Sequence, residues 1–193
     1  MKKEITKSTT KITLVIIVFI VVVVGYYTYL SNRSREQKQN TNMSKVQITL
    51  SRNLENDYPP TPKEIIKYYN EILRCLYNEE ASDEEIDDLG NKARELYDAE
   101  LLENNELGMY LINLHAEVAD YKENERKIAS ISLASSTNVD YFSEDGHSFA
   151  KIICNYNIME GSTSHPTELV YLLRRDPDKQ WKIYGWKATD ELE

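Results

Sequence analysis

Residues 129–159 read ASISLASSTNVDYFSEDGHSFAKIICNYNIM, and their spacing decides the fold class. Ala129, Ile131 and Leu133 alternate with Ser130 and Ser132, the period of a strand with one solvated face. Val139 and Tyr141 continue it beyond an irregular step at residues 135–138. Ser143-Glu144-Asp145-Gly146 predicts a hairpin turn, because Asp-Gly tolerates the positive φ angles of a two-residue connection. Phe149 to Met159 then return as a strand with Ala150, Ile152, Cys154, Tyr156 and Ile158 on one face. Downstream, Glu160 to Pro166 reads as a polar loop. Leu169 to Arg174 reads as a strand apolar on both faces, hence central. Asp176-Pro177-Asp178-Lys179 turns the chain into a last strand, Trp181 to Lys187. Strict alternation there sets Trp181 and Ile183 on one side, Tyr184 and Trp186 on the other.

Upstream of this run the period is helical. Thr61 can cap, Pro62 suits the first helical position and Glu64 completes a capping box. Ile65, Tyr69, Ile72, Leu73 and Leu76 then give one buried face to about Tyr77. Ser82 and Glu85 repeat the box. Ile86, Leu89, Ala93, Leu96 and Leu101 line a second helix, which Gly90 weakens by about 1 kcal/mol unless packing needs it. Leu107, Leu111, Leu114, Val118 and Tyr121 set a third helix over residues 106–122. Helices followed by an antiparallel meander predict an α+β domain over residues 58–193, three helices on a curved four-stranded sheet.

Ahead of the domain stands Ile12–Leu30, ITLVIIVFIVVVVGYYTYL. Nineteen residues of helix span roughly 28 Å, close to the hydrocarbon thickness of a bilayer. In lipid the Val and Ile preference for strands loses, because only a helix pairs its own backbone groups. Tyr26, Tyr27 and Tyr29 sit where an aromatic belt would. No small-residue cleavage site follows, so an uncleaved single-pass anchor is expected rather than a signal peptide. The stretch has no ionisable residue and only one glycine, Gly25, which suits a tether better than an ion path or a dimerising helix. Lys2, Lys3, Lys7 and Lys11 give residues 1–11 the character of a cytoplasmic tail, which puts the domain outside the cell. Residues 31–57 read as a flexible linker, with Val46, Ile48 and Leu50 as a short strand if they form anything.

The chain has 193 residues and a net charge of −9; residues 1–57 are net +5, which leaves −14 on residues 58–193. An acidic domain argues against nucleic acid and against lying flat on an anionic membrane. The two cysteines, Cys75 and Cys154, are expected as buried thiols, with a bridge as the alternative if the fold brings them close.

The ending from Val170 to Trp186, VYLLRRDPDKQWKIYGW, resembles the last hairpin of nuclear transport factor 2-like domains, the α+β cones related to cystatin in shape. That resemblance implies helices packed into a cone of sheet, with a strand between the second and third helices that the sequence does not offer. Enzymes of that superfamily present an Asp–His or Asp–Tyr pair inside the cone, and no such pair is evident here. TPKEIIKYYNEI, ARELYDAELLENN and WKIYGW also resemble an uncharacterised family of single-pass membrane proteins from clostridial gut bacteria.

Three histidines, His115, His147 and His165, have no metal-ligand spacing, and the acids Asp83, Glu84, Glu85, Asp87 and Asp88 lack the glycine and spacing of a calcium loop. No nucleophile elbow, phosphate loop or dinucleotide fingerprint occurs. Neither a catalytic residue nor a metal or cofactor site is expected. The expected lining of a pocket in an open cone is Tyr69, His115, Tyr156, Tyr171 and Trp186, with Tyr68 and Tyr184 as further aromatic candidates; core packing is the plainer role for these rings. The reading is a membrane-anchored extracytoplasmic domain, non-enzymatic, that binds a protein or small molecule and can pair as a homodimer through its sheet. The alternatives are a scaffold subunit similar to the single-pass component of type IV secretion, and a small polyketide-cyclase-like enzyme.

Overall fold

The computed structural model describes residues 43–189, and the anchor expected at residues 12–30 lies outside them. No helix among the described residues is long and apolar enough to cross a membrane. The described elements are α1 (Lys45–Leu50), α2 (Pro62–Asn78), α3 (Asp83–Arg94), α4 (Ala99–Glu103), α5 (Leu107–Glu123), β1 (Arg126–Leu133), β2 (Asp140–Glu144), β3 (His147–Glu160), β4 (Thr163–Arg175) and β5 (Trp181–Ala188). Helices precede an antiparallel sheet, so the domain is α+β. The sheet order is β1-β3-β4-β5, with β2 also on β3.

α2 is the central helix. Thr61 caps it through the Glu64 N–H at 3.2 Å, while the Glu64 carboxylate reaches the Thr61 hydroxyl at 3.5 Å and leaves the box incomplete. Ile65, Ile66, Ile72 and Leu76 are sealed from solvent, and each such side chain contributes about 1.5–3 kcal/mol of burial. The full box forms at α3, where Ser82 accepts from the Glu85 N–H and Glu85 accepts from the Ser82 N–H.

The expected linker through Asp57 is corrected. The compact unit begins at Ser44. Val46, Ile48 and Leu50 alternate as a strand would, yet they lie on α1, because Ser44 and Gln47 form a capping box that fixes a helical start. Val46 is 1% exposed and Leu54 5%, both in the core.

The expected long second helix is also broken. It ends at Arg94, and Tyr97 pairs with Ile183 in a parallel bridge. The Asp98 N–H donates to the Ile183 carbonyl and the Ile183 N–H to the Leu96 carbonyl, each at 2.8 Å. Asp98 then caps α4 by accepting from the Glu100 N–H. The chain leaves the helix because the edge of β5 satisfies its backbone groups. This bridge stands where the resemblance implies a strand between the helices.

In the sheet the four expected strands are five. The first is interrupted by a 3-10 turn at Ser136–Asn138, and β1 and β2 lie in succession on one edge of β3. β4 is central, as its two apolar faces predict. It also runs further than expected: residues 163–166, read as loop, pair with β3 from Glu160↔Thr163 onward, and the turn shrinks to Gly161-Ser162, with Gly161 at φ 58°. At the other hairpin Asp145 and Gly146 take φ 48° and 79°, as Asp-Gly predicts.

Two bulges correct the face assignments. The β1–β3 register slips between Ile128 and Ser130, so Ala129 is exposed and Ile128 takes the buried place. The β4–β5 register slips between Leu172 and Leu173, which pair with Gly185 and Ile183, leaving Tyr184 as the extra residue. Trp186 then stands opposite Tyr171 and shares its face with Ile183, which strict alternation forbids.

Candidate functional site: a tyrosine-lined cavity

A cavity of about 540 Å³ lies between α2, α5 and the sheet. α2 contributes Tyr69, Leu73, Leu76 and Tyr77, spaced by helical turns along one face. Ala93 and Tyr97 come from the end of α3 and its exit. The loop Asn104-Asn105-Glu106 and the α5 residues Met109, Tyr110, Asn113, Leu114, Glu117 and Tyr121 form one wall. Ile128, Tyr156, Ile158, Thr167, Leu169, Tyr171 and Trp186 from the sheet form the other.

Four of the five residues expected to line a pocket therefore meet here: Tyr69, Tyr156, Tyr171 and Trp186. His115 does not. It points from α5 to α3, with Nε2 2.9 Å from Asp87 and Nδ1 3.9 Å from Asp83. The acidic start of α3 thus serves as a partner for an inter-helix histidine. Tyr68 faces the other way and donates to the Thr49 carbonyl of α1 at 2.8 Å. Tyr184, extruded by the bulge, packs on Phe149 and lies under Arg174. His147 stands beside Phe149, and His165 lies 3.5 Å from Glu160.

The rings pack on one another. Trp186 meets Tyr69, Tyr97 and Tyr171 with centroids 5.9, 5.9 and 6.0 Å apart, and Tyr69 meets Tyr97 and Tyr171 at 6.0 Å. Tyr77 stacks on Tyr121 at 4.2 Å. Aromatic pairs at such distances add about 0.5–1.5 kcal/mol beyond their buried area. Trp186 remains 42% exposed, so the cluster presents a ring to solvent.

The hydroxyls are largely engaged with one another. Tyr156 donates to Asn70 Oδ1 at 2.5 Å, and its oxygen lies 2.7 Å from that of Tyr171. Asn70 in turn donates to Cys154 Sγ at 3.5 Å. Tyr69 and Tyr97 hydroxyls are 3.2 Å apart, and Tyr77 donates to Glu117 at 2.8 Å. Burial pushes the phenols of Tyr69, Tyr77, Tyr97, Tyr110, Tyr121, Tyr156 and Tyr171 upward. They are neutral hydrogen-bonding groups at physiological pH, and none is a base there.

Two carboxylates border the cavity. Glu106 caps α5, accepting from the Gly108 and Met109 N–H groups at 3.0 and 2.9 Å, and these bonds hold its carboxyl below the usual range. Glu117 accepts from Tyr77. No Lys, Arg or His is among the lining residues. Arg94 lies over the Tyr110 ring at 5.1 Å and donates to the Asn105 carbonyl at 2.6 Å, outside the lining. Among the described residues no three His, Cys, Asp or Glu are gathered as metal ligands. Both cysteines are free and buried, Cys75 against Thr49 and Cys154 against Asn70.

Asn70 escaped the sequence reading. An asparagine inside an apolar helix face is the signal that could have found it, since a buried amide needs partners. Tyr77, Tyr97, Tyr110 and Tyr121 were legible as helix residues but not as lining, because their convergence depends on how the helices cross.

Residues 1–186 match the model of a family described as a domain of unknown function, DUF6715. No curated protein matches the chain.

Proposed function

The chain belongs to the DUF6715 family, and we propose that it is a membrane-tethered, extracytoplasmic binding domain that takes a small molecule into its tyrosine-lined cavity without transforming it. The observation that carries this reading is the cavity itself, about 540 Å³ with eight aromatic rings in its lining. Volumes of that order hold drug-sized ligands, and apolar walls with a few polar groups are the usual make-up of such sites. Its phenols are held protonated, and Tyr69, Tyr77, Tyr97, Tyr156 and Tyr171 are bonded to one another, to Asn70 or to Glu117, an arrangement that orients rings rather than moves protons. The Ile12–Leu30 stretch supplies the tether, in keeping with its length and lack of charge. The α+β order and the Tyr97–Ile183 bridge favour the nuclear transport factor 2-like cone as the fold type.

Native mass spectrometry of the full chain, extracted in mild detergent, tests this. A bound small molecule is expected with the wild type and lost with Leu169→Trp, which fills the cavity. Adducts that survive that substitution count against the site.

A second reading, a scaffold subunit, is favoured by one observation. Met109 and Ile112 on α5 are 58% and 65% exposed, one helical turn apart. Analytical ultracentrifugation of the detergent-solubilised chain and of Ile112→Glu separates the two; only a scaffold changes its mass distribution.

A further inference from the structure

Resting on the cavity-binding reading, we propose that the ligand is an organic cation, a substituted ammonium group recognised by ring faces and carboxylates. Four observations converge. The lining has two carboxylates, Glu106 and Glu117, and no cationic side chain. An anionic ligand would meet like charge on the lining, the nearest cation, Arg94, lying behind Tyr110 and Asn105, which disfavours it. The Glu106 carboxyl is held ionised by two backbone N–H groups, so its charge is present at any physiological pH. The exposed ring is Trp186, the side chain whose π face attracts cations best, backed by Tyr69, Tyr97 and Tyr171.

The fourth observation weighs a cation against a neutral polyol, the other class that aromatic walls receive. A sugar needs free hydroxyl and amide groups to meet its own. Here the Tyr156 hydroxyl is committed to Asn70 and Tyr171, Tyr69 to Tyr97, and Tyr77 to Glu117. These pairs leave π surface and negative charge toward the cavity, with the Tyr121 and Thr167 hydroxyls and the Asn113 amide as its remaining polar groups. An alkylammonium group uses both and requires no hydroxyl partner.

The experiment is calorimetric titration of the full chain in nanodiscs, with empty nanodiscs subtracted. The probes share one ring and differ in the head: benzyltrimethylammonium, benzyl alcohol, phenyl glucoside and phenylacetate. Benzyltrimethylammonium is expected to bind at least about tenfold more tightly than the other three, within the range of desolvated cation–π contacts. The double variant Glu106→Gln with Glu117→Gln should erase that preference while keeping weak binding of benzyl alcohol. Glu106→Gln retains an acceptor for the α5 cap, and an unchanged melting temperature checks that the fold survives. Equal or tighter binding of benzyl alcohol, phenyl glucoside or phenylacetate overturns the cation assignment and leaves the cavity as a binding site. Binding of none of the four, or cation binding that Trp186→Leu does not weaken, overturns both the cation and the site.

Discussion

The Tyr156 hydroxyl donates to Asn70 Oδ1 at 2.5 Å, joining the middle of α2 to the middle of the sheet under the cavity floor. Both residues are buried, and Tyr171 and Cys154 complete the set. Removing one partner strands another away from water. Tyr156→Phe and Asn70→Ala are each expected to cost about 1–3 kcal/mol in urea unfolding. A loss under about 0.5 kcal/mol for Tyr156→Phe would mean that water replaces the hydroxyl.

Alkaline pH should unfold the protein cooperatively. The buried phenols titrate above the ordinary tyrosine value of 10.0 in the fold and near it once unfolded, so folding favours their protonated form. Their contribution is whole below about pH 10 and falls as pH rises beyond it, by up to about 1.4 kcal/mol per pH unit for each phenol. Phenolate absorbance and loss of circular dichroism should therefore rise together in a pH titration. Ionisation of most tyrosines well before unfolding would contradict the burial described here.

Asp98 is 3% exposed and receives the Arg174 guanidinium as a fork, Nε reaching Oδ2 at 3.0 Å and Nη2 reaching Oδ1. Arg174 also lies 4.7 Å over the Tyr184 ring and 3.4 Å from Glu100. Asp98→Asn keeps a cap acceptor for α4 and removes the buried charge that Arg174 answers. It should destabilise by about 3 kcal/mol, as breaking one side of a buried pair does. Chemical denaturation of the single variants and of Asp98→Asn with Arg174→Leu checks this; the double variant should lose less than the two singles added together.

Gly90 sits where α3 crosses α5. A Cβ there would come 2.7 Å from Leu114 Cδ2 and 3.1 Å from Leu111 Cδ2. Alanine gains about 1 kcal/mol of helix propensity and meets an overpacking cost of about 1–3 kcal/mol. Gly90→Ala should thus give no rise in melting temperature despite the better helix former. A rise of several degrees would show that the leucines move aside freely.

The helical half of the domain was legible to within a residue or two wherever a cap and an apolar face coincide, as at Thr61-Pro62 and Ser82. The exceptions share a cause, since each depends on a partner remote in sequence. Arg94 ends a helix because β5 accepts the following chain. Trp186 changes face because one residue, Tyr184, is extruded from a ladder. Ser44 and Gln47 are different, for their capping box stood in the sequence and the alternation of Val46, Ile48 and Leu50 obscured it. For the cavity, tyrosines were legible as candidates but their pairing was not. His115 fits an apolar helix face equally well whether it turns inward or toward Asp87, and only the placement of α3 decides.

Both margins of the sheet are guarded against joining another sheet. Leu96 to Asp98 already occupies the hydrogen-bonding side of β5 at Ile183. The opposite margin is split into β1 and β2 by the turn at Ser136–Asn138, so it is not one continuous ladder. Each interruption shortens the run of backbone bonds that a second chain could add, which works against edge-to-edge aggregation of a strand-rich acidic domain.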